Sequence, residues 1–171
     1  MITPQYCQRM AQHNLWQNNE MSAAMAALSE TQLWLDRSAF FGSIQGTANH
    51  LLWGDLTWLS RFDSGAGPET ALENSTAEAA DLVDWQQKRQ ALDQRFLAWA
   101  NGLTAADMDG DFSWYSVAMQ QEFSLPWALC LMQMFNHQTH HRGQIHAMVT
   151  AAGGKGWTTD LPFMPPAFAK F

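Results

Sequence analysis

Four of the six histidines in this 171-residue chain lie within the run 135–146, at His137, His140, His141 and His146. His137 and His141 are four apart. Four residues of α-helix turn about 400° and rise about 6 Å, so the two imidazoles stack on one face where a single metal ion can take both. Two ligands do not make a site. The third candidate is His50, in the apolar helical stretch from Ile44 to Asp55. Neutral imidazole is a common ligand for zinc, nickel, iron and copper. Three such ligands between two helices leave coordination positions open.

The remaining residues near these positions sort by angle. Cys130, Met134, His137, His141 and Gln144 share one helical face, whereas His140 is turned about 100° from His141 and His146 about 180° from His137. The last two therefore read as partly exposed polar side chains. The plain alternative for His137 and His141 is a pair of core histidines, but buried imidazoles without hydrogen-bond partners are costly. His50 shares its side with Thr47, Trp53, Gly54 and Thr57. Gly54, one turn on, costs the helix about 1 kcal/mol relative to Ala, and its missing side chain is expected to leave room for solvent or substrate. Asp55 is turned about 140° from His50 and is not a ligand. Cys130 lies about 10 Å along the helix from His137, too far for the same ion, and reads as core or pocket rim. The chain has no G-x-S-x-G, C-x-x-C, P-loop or H-E-x-x-H motif, which disfavours the corresponding nucleophile, redox, nucleotide and metalloprotease chemistries.

Composition bounds the classes further. A length of 171 residues suits a single domain, 1–171, with a sizeable core, and 47% hydrophobic residues exclude a disordered chain. Nine Trp, ten Phe and ten Met point to a core of large side chains or an apolar pocket. The net charge of −7, without a Lys/Arg cluster, argues against nucleic-acid binding and against a polybasic membrane contact. No apolar run approaches the ~20 residues of a spanning helix, and the N-terminus has no signal-peptide pattern. Cys7 and Cys130 form no disulfide framework. A cytoplasmic location is the expectation.

The elements that position these residues are helices. Thr3 caps and Pro4 opens a first helix, expected over about 4–28, with a polar middle at Gln17, Asn18 and Asn19. Residues 31–41 read as a connection whose Trp34, Leu35, Phe40 and Phe41 tuck against the core. Ser43 caps a second helix running to about Phe62, ended by the 63–68 turn. Residues 69–80 read as a surface loop. A third helix spans 81–101, with Gly102 at its C-cap. Residues 112–117 and 118–123 form either a short hairpin or an irregular crossing. Ser124 caps a fourth helix over about 125–152, ended by Gly153 and Gly154, and the remaining tail packs along the bundle in extended form. No internal repeat is visible. The expectation is an all-α four-helix bundle with a long crossover between the second and third helices and an extended C-terminal tail.

His50, together with the run His137-Gln138-Thr139-His140-His141-Arg142-Gly143-Gln144, resembles the DinB/YfiT-like proteins, marked by one histidine in the second helix and H-x-x-x-H-R-G-Q in the last. The stretches 14–19, 40–44 and 49–52 are also similar to that family, so the likeness covers most of the chain. The resemblance implies an up-down-down-up bundle, a homodimer, and a divalent metal, nickel or zinc, on His50, His137 and His141. It further implies metal-dependent chemistry on a small-molecule substrate, either thiol S-transfer with a low-molecular-weight thiol or hydrolysis. Gln144 and Arg142 are candidates for orienting a ligand or the substrate, and no general base is identifiable. Two other readings stand beside the enzyme. One is a non-catalytic stress-response or interaction protein whose metal is structural. The other is a metal-free bundle with an apolar pocket.

Overall fold

A computed structural model describes residues 2–117 and 119–169. The fold is mostly helical, with one small two-stranded sheet. Helix α1 spans Pro4–Ala26, with the Thr3 side chain accepting from the Tyr6 amide. It ends two residues before the expected 28. A short helix α2, Glu30–Trp34, follows behind a capping box of Ser29 and Gln32. Of the four residues expected to tuck this connection inward, Trp34, Leu35 and Phe40 are exposed. Leu33 provides the anchor instead, and only Phe41 turns toward the helices that follow.

Helix α3, Ile44–Asp63, starts on Ser43, whose hydroxyl accepts from the Gly46 amide, and ends on left-handed Ser64. Segment 69–80 lies mostly at the surface, as expected, but it is anchored rather than loose. It carries a 3-10 turn, Leu72–Ala77, and buries Ser75, Glu78 and Ala79. The Glu78 carboxylate accepts from the amides of Glu69 and Thr70 and from the Thr70 hydroxyl, and Asn49 of α3 donates to the carbonyls of Thr76 and Ala79. Tertiary hydrogen bonds thus order a segment with no hydrophobic period.

Helix α4, Leu82–Gly102, begins at Asp81; Gly102 is its last residue and Leu103 its cap. Strands β1, Asp111–Ser116, and β2, Gln121–Pro126, form an antiparallel hairpin that sets Trp114 opposite Phe123. The second strand lies later than the expected 118–123, and Ala118 lies outside the described residues. Ser124, expected to cap the last helix, is bound in this hairpin to Ser113, hydroxyl to hydroxyl at 2.9 Å. Pro126 occupies the cap position of helix α5, Trp127–Ala151. Gly153, at φ +84°, and the Gly154 amide returning to Val149 close that helix, as expected. The tail, which holds one 3-10 turn at Leu161–Phe163, crosses α1: the Thr159 carbonyl meets His13 and the Thr158 carbonyl accepts from Gln17.

The long helices pack α1 on α4 and α5, and α3 on α4 and α5. Their contacts are specific. Tyr6 meets Phe135 edge-on and Asn14 donates to Gln138 between α1 and α5. Gln86 donates to Ser22, and Asn18 to Asp93, between α4 and α1. Trp85 donates to the Ala48 carbonyl, Arg89 pairs with Asp55, and Arg95 with Asp63, between α4 and α3. Phe62 of α3 packs on Trp127 of α5. Trp85, Phe96, Phe135, Met21, Leu51 and Ile145 are among the large side chains that fill the shared core. No helix among the described residues is long and apolar enough to cross a membrane.

Candidate metal centre

The packing of α3 on α5 brings His50 against His137 and His141. One ligating nitrogen from each lies within 4.8 Å of the others. The Nε2 atoms of His137 and His141 are 3.1 Å apart. Two nitrogens bound at about 2.0–2.1 Å to a tetrahedral ion sit about 3.3 Å from each other, so this edge already has close to the spacing of a coordinated pair. His50 and His141 are buried, at 8% and 6% exposure, and His137 is half-buried.

The outward nitrogens of two of the rings have partners. His50 Nδ1 lies 2.9 Å from Ser75 Oγ and His141 Nδ1 lies 2.7 Å from Gln144 Oε1. An Nδ1–H that donates outward leaves the Nε2 lone pair facing the centre, as a metal-binding imidazole needs. Aromatic rings hold His50 further. Phe41 stacks on it at 3.7 Å between centroids and 20° between planes, and Trp53 lies at 6.1 Å on a near-parallel plane. Burial, reinforced by the neighbouring imidazoles, lowers His50 to about 3. Burial also lowers His141 to about 4 against the opposing bond from Gln144, and lowers His137 against the opposing charge of Asp55. All three rings are therefore neutral near pH 7. The donor set, its spacing and its protonation fit a divalent ion.

The expected role of Gly54 is overturned. A β-carbon there would stand 2.6 Å from His137 Cε1. The missing side chain makes room for the His137 ring, not for solvent or substrate. Gln144 is engaged in orienting His141. Arg142 is buried in the interior, where Asp55, Arg89 and Asp93 act on it electrostatically. His140 is exposed, its ring 4.8 Å from that of His141. His146 faces the tail, 3.2 Å from the Trp157 carbonyl. Cys130 is a buried free thiol.

Sequence reasoning missed Ser75 and Phe41 as partners of His50. Neither carries a local signal, because each reaches the ring through chain folding across 25 and nine positions respectively. It also missed Asp55, whose charge acts on both His137 and His141. The wheel places Asp55 away from His50, but not away from the helix that crosses it.

No curated protein matches the chain. A family model does: the one described as DinB family matches residues 1–167 of 171. With the match spanning nearly the whole sequence, the chain belongs to the DinB family.

Proposed function

We propose that this protein is a metal-dependent enzyme, a thiol S-transferase or a hydrolase of small molecules, that holds a divalent ion, nickel or zinc, on His50, His137 and His141. The observation that carries the reading is the convergence of three neutral imidazoles, two of which have their far nitrogens held by Ser75 and Gln144. When bound, such an ion supplies Lewis acidity, lowering the pKa of a water or thiol in an open position and polarising a carbonyl or epoxide. The chain's own contribution is orientation. Ser75 and Gln144 fix which nitrogen of each ring faces inward, the Phe41 ring covers one face of His50, and Gly54 admits the His137 ring.

The bundle reading agrees with the observed contacts. The pairs Tyr6–Phe135 and Asn14–Gln138 advance together along α1 and α5, so these helices run in the same direction. The pairs Ala48–Trp85, Asp55–Arg89 and Asp63–Arg95 advance together along α3 and α4. Ser22–Gln86 and Asn18–Asp93 run oppositely along α1 and α4. These registers support an up-down-down-up four-helix bundle folded as one domain.

A second reading has its own support. The ligands come from two different helices and two of them are more than nine-tenths buried, which suits an ion that only staples α3 to α5 in a non-catalytic protein. Elemental analysis of the wild type beside H50A, H137A and H141A is the deciding experiment, followed by thiol-transfer and ester-hydrolysis assays on the loaded protein. Stoichiometric metal that each substitution removes, with turnover, is the expected result. Stoichiometric metal, a large stability loss on chelation and no turnover would favour the staple. A wild type without metal would end both.

A further inference from the structure

The centre of the molecule is polar. Asn14 and Asn18 of α1, Asp55 of α3, Arg89 and Asp93 of α4, and Gln138 and Arg142 of α5 are all at most 5% exposed. Every long helix contributes to this layer. Three of the four do so at an i, i+4 spacing, which sets both side chains on one face. Some of the bonds are made within the protein. Asn14 donates to Gln138, Asn18 donates to Asp93, and Arg89 reaches Asp55 at 2.6 Å and Asp93 at 2.8 Å.

Seven further atoms of the layer have neither a hydrogen-bond nor an ion-pair partner among the described residues. Four are donors: Arg89 Nε, Gln138 Nε2, and Arg142 Nη1 and Nη2. Three are acceptors: Asn14 Oδ1, Asn18 Oδ1 and Asp55 Oδ1. Each group left so carries the full cost of its desolvation, and a charged one the most, so a folded chain must satisfy them. They share one interior. Asp55, Arg89 and Asp93 all act electrostatically on Arg142, and the bonds above connect Asn18, Asp93, Arg89 and Asp55 in sequence.

The mixture of donors and acceptors selects the occupant. A buried anion would gain from the Arg142 guanidinium and the Gln138 amide, but would face the oxygens of Asp55, Asn14 and Asn18. A cation would meet the reverse conflict. Water donates and accepts, and buried water makes about three hydrogen bonds, so roughly two or three molecules would serve seven atoms. We propose that this layer is a second binding site, for a small cluster of ordered water held between Arg142, Asp55 and the amides of Asn14, Asn18 and Gln138. Asp55 links this layer to the histidine triad, since its charge acts on His137 and His141. The cluster does not depend on whether the triad holds metal.

Two measurements on the wild-type chain test this, so no variant has to fold. Diffraction at a resolution that shows ordered solvent, with a second crystal grown in bromide, should place water within hydrogen-bond reach of Arg142 Nη1 or Nη2 and of Asp55 Oδ1, with no bromide peak there. Water-to-protein NOE spectra should show long-lived water at the Gln138 side-chain amide. A bromide ion on Arg142 would overturn the proposal. So would a direct Arg142–Asp55 ion pair with no water between, or the absence of a long-lived water signal at Gln138.

Discussion

Gly54 and His137 make a contact whose energetics separate metal binding from folding. Ala at position 54 should favour α3 by about 1 kcal/mol, yet its β-carbon would fall on the His137 ring. A side chain can rotate away where backbone cannot, so the cost should fall on the site. The expected result for Gly54→Ala is metal affinity down by at least about tenfold, on the scale of lost ligand orientation, with the thermal stability of the metal-free protein unchanged or raised. Isothermal titration with zinc and thermal melts of both forms check this, and unchanged affinity would mean that His137 is not a ligand. Ser75→Ala tests the orienting shell in the same way. With the partner of His50 Nδ1 removed, affinity should fall about 10- to 100-fold. Acid adds a test on the metal-free protein. Folded His50 and His141 take up protons only near about 3 and about 4, whereas in the unfolded chain they do so near 6.5. Below pH 6.5 the unfolded state therefore binds more protons, and the stability present above that pH should fall steadily as pH drops toward 4. Urea midpoints against pH should show this slope, and H50A or H141A should flatten it. The His137–His141 pair was legible because i, i+4 spacing on a helix is a local geometric fact, and His50 because it sits in an apolar helical stretch. Ser75 and Phe41 were not, because their partnership with His50 exists only after 69–80 and 35–42 fold back on α3.

The elements repeat that division. Caps that depend on one side chain and its own helix, Thr3 and Ser43, are readable, and the structure uses them. Ser124 has the right type at a plausible place, but its hydroxyl is taken by Ser113 across the hairpin, a pairing no local rule encodes. The surface-loop reading of 69–80 missed the segment's anchoring for the same reason, since buried Glu78 and the side-chain amide of Asn49 replace the missing hydrophobic period. The polar layer was half visible. Asn18 stood out as a polar interruption of α1, but the Arg89–Asp93 spacing on α4 also matches a solvated i, i+4 pair, and only the packing of α4 on α1 and α3 tells the two apart. Burial gives that pair a measurable consequence. Arg89 is the charge between Asp55 and Asp93, and all three are nearly inaccessible. Arg89→Met leaves two buried carboxylates without their cation, which should cost about 3–5 kcal/mol, whereas replacing the whole group with apolar residues should be close to neutral. Chemical denaturation of both variants measures the difference, and a loss below about 1 kcal/mol for the single substitution would mean that solvent reaches the pair freely.

At the scale of the whole molecule, the helical class was evident because no strand series competes with four long periodic stretches. The cross-section was not, because a polar layer spanning four helices is a property of their mutual register and of no single one of them. That register also decides what an ion at the triad does for the fold. His50 belongs to α3, and His137 and His141 to α5, so a bound ion links two helices that already share the core. An ion that binds only the native arrangement stabilises it by RT ln(1 + [L]/Kd), about 2.7 kcal/mol at a hundredfold excess over Kd. For a chain of this size each kcal/mol moves the melting temperature by roughly 2–4 °C, so zinc or nickel at that excess should raise it by roughly 5–11 °C. H137A should remove most of the rise, while Arg142→Lys, which leaves the three histidines intact, should keep it at its own lower baseline. Equal rises in the wild type and H137A would locate the ion elsewhere on the surface. No rise in either, with metal present at the stated excess, would mean that the convergence of α3 on α5 is held by packing alone and that the imidazoles take no ion.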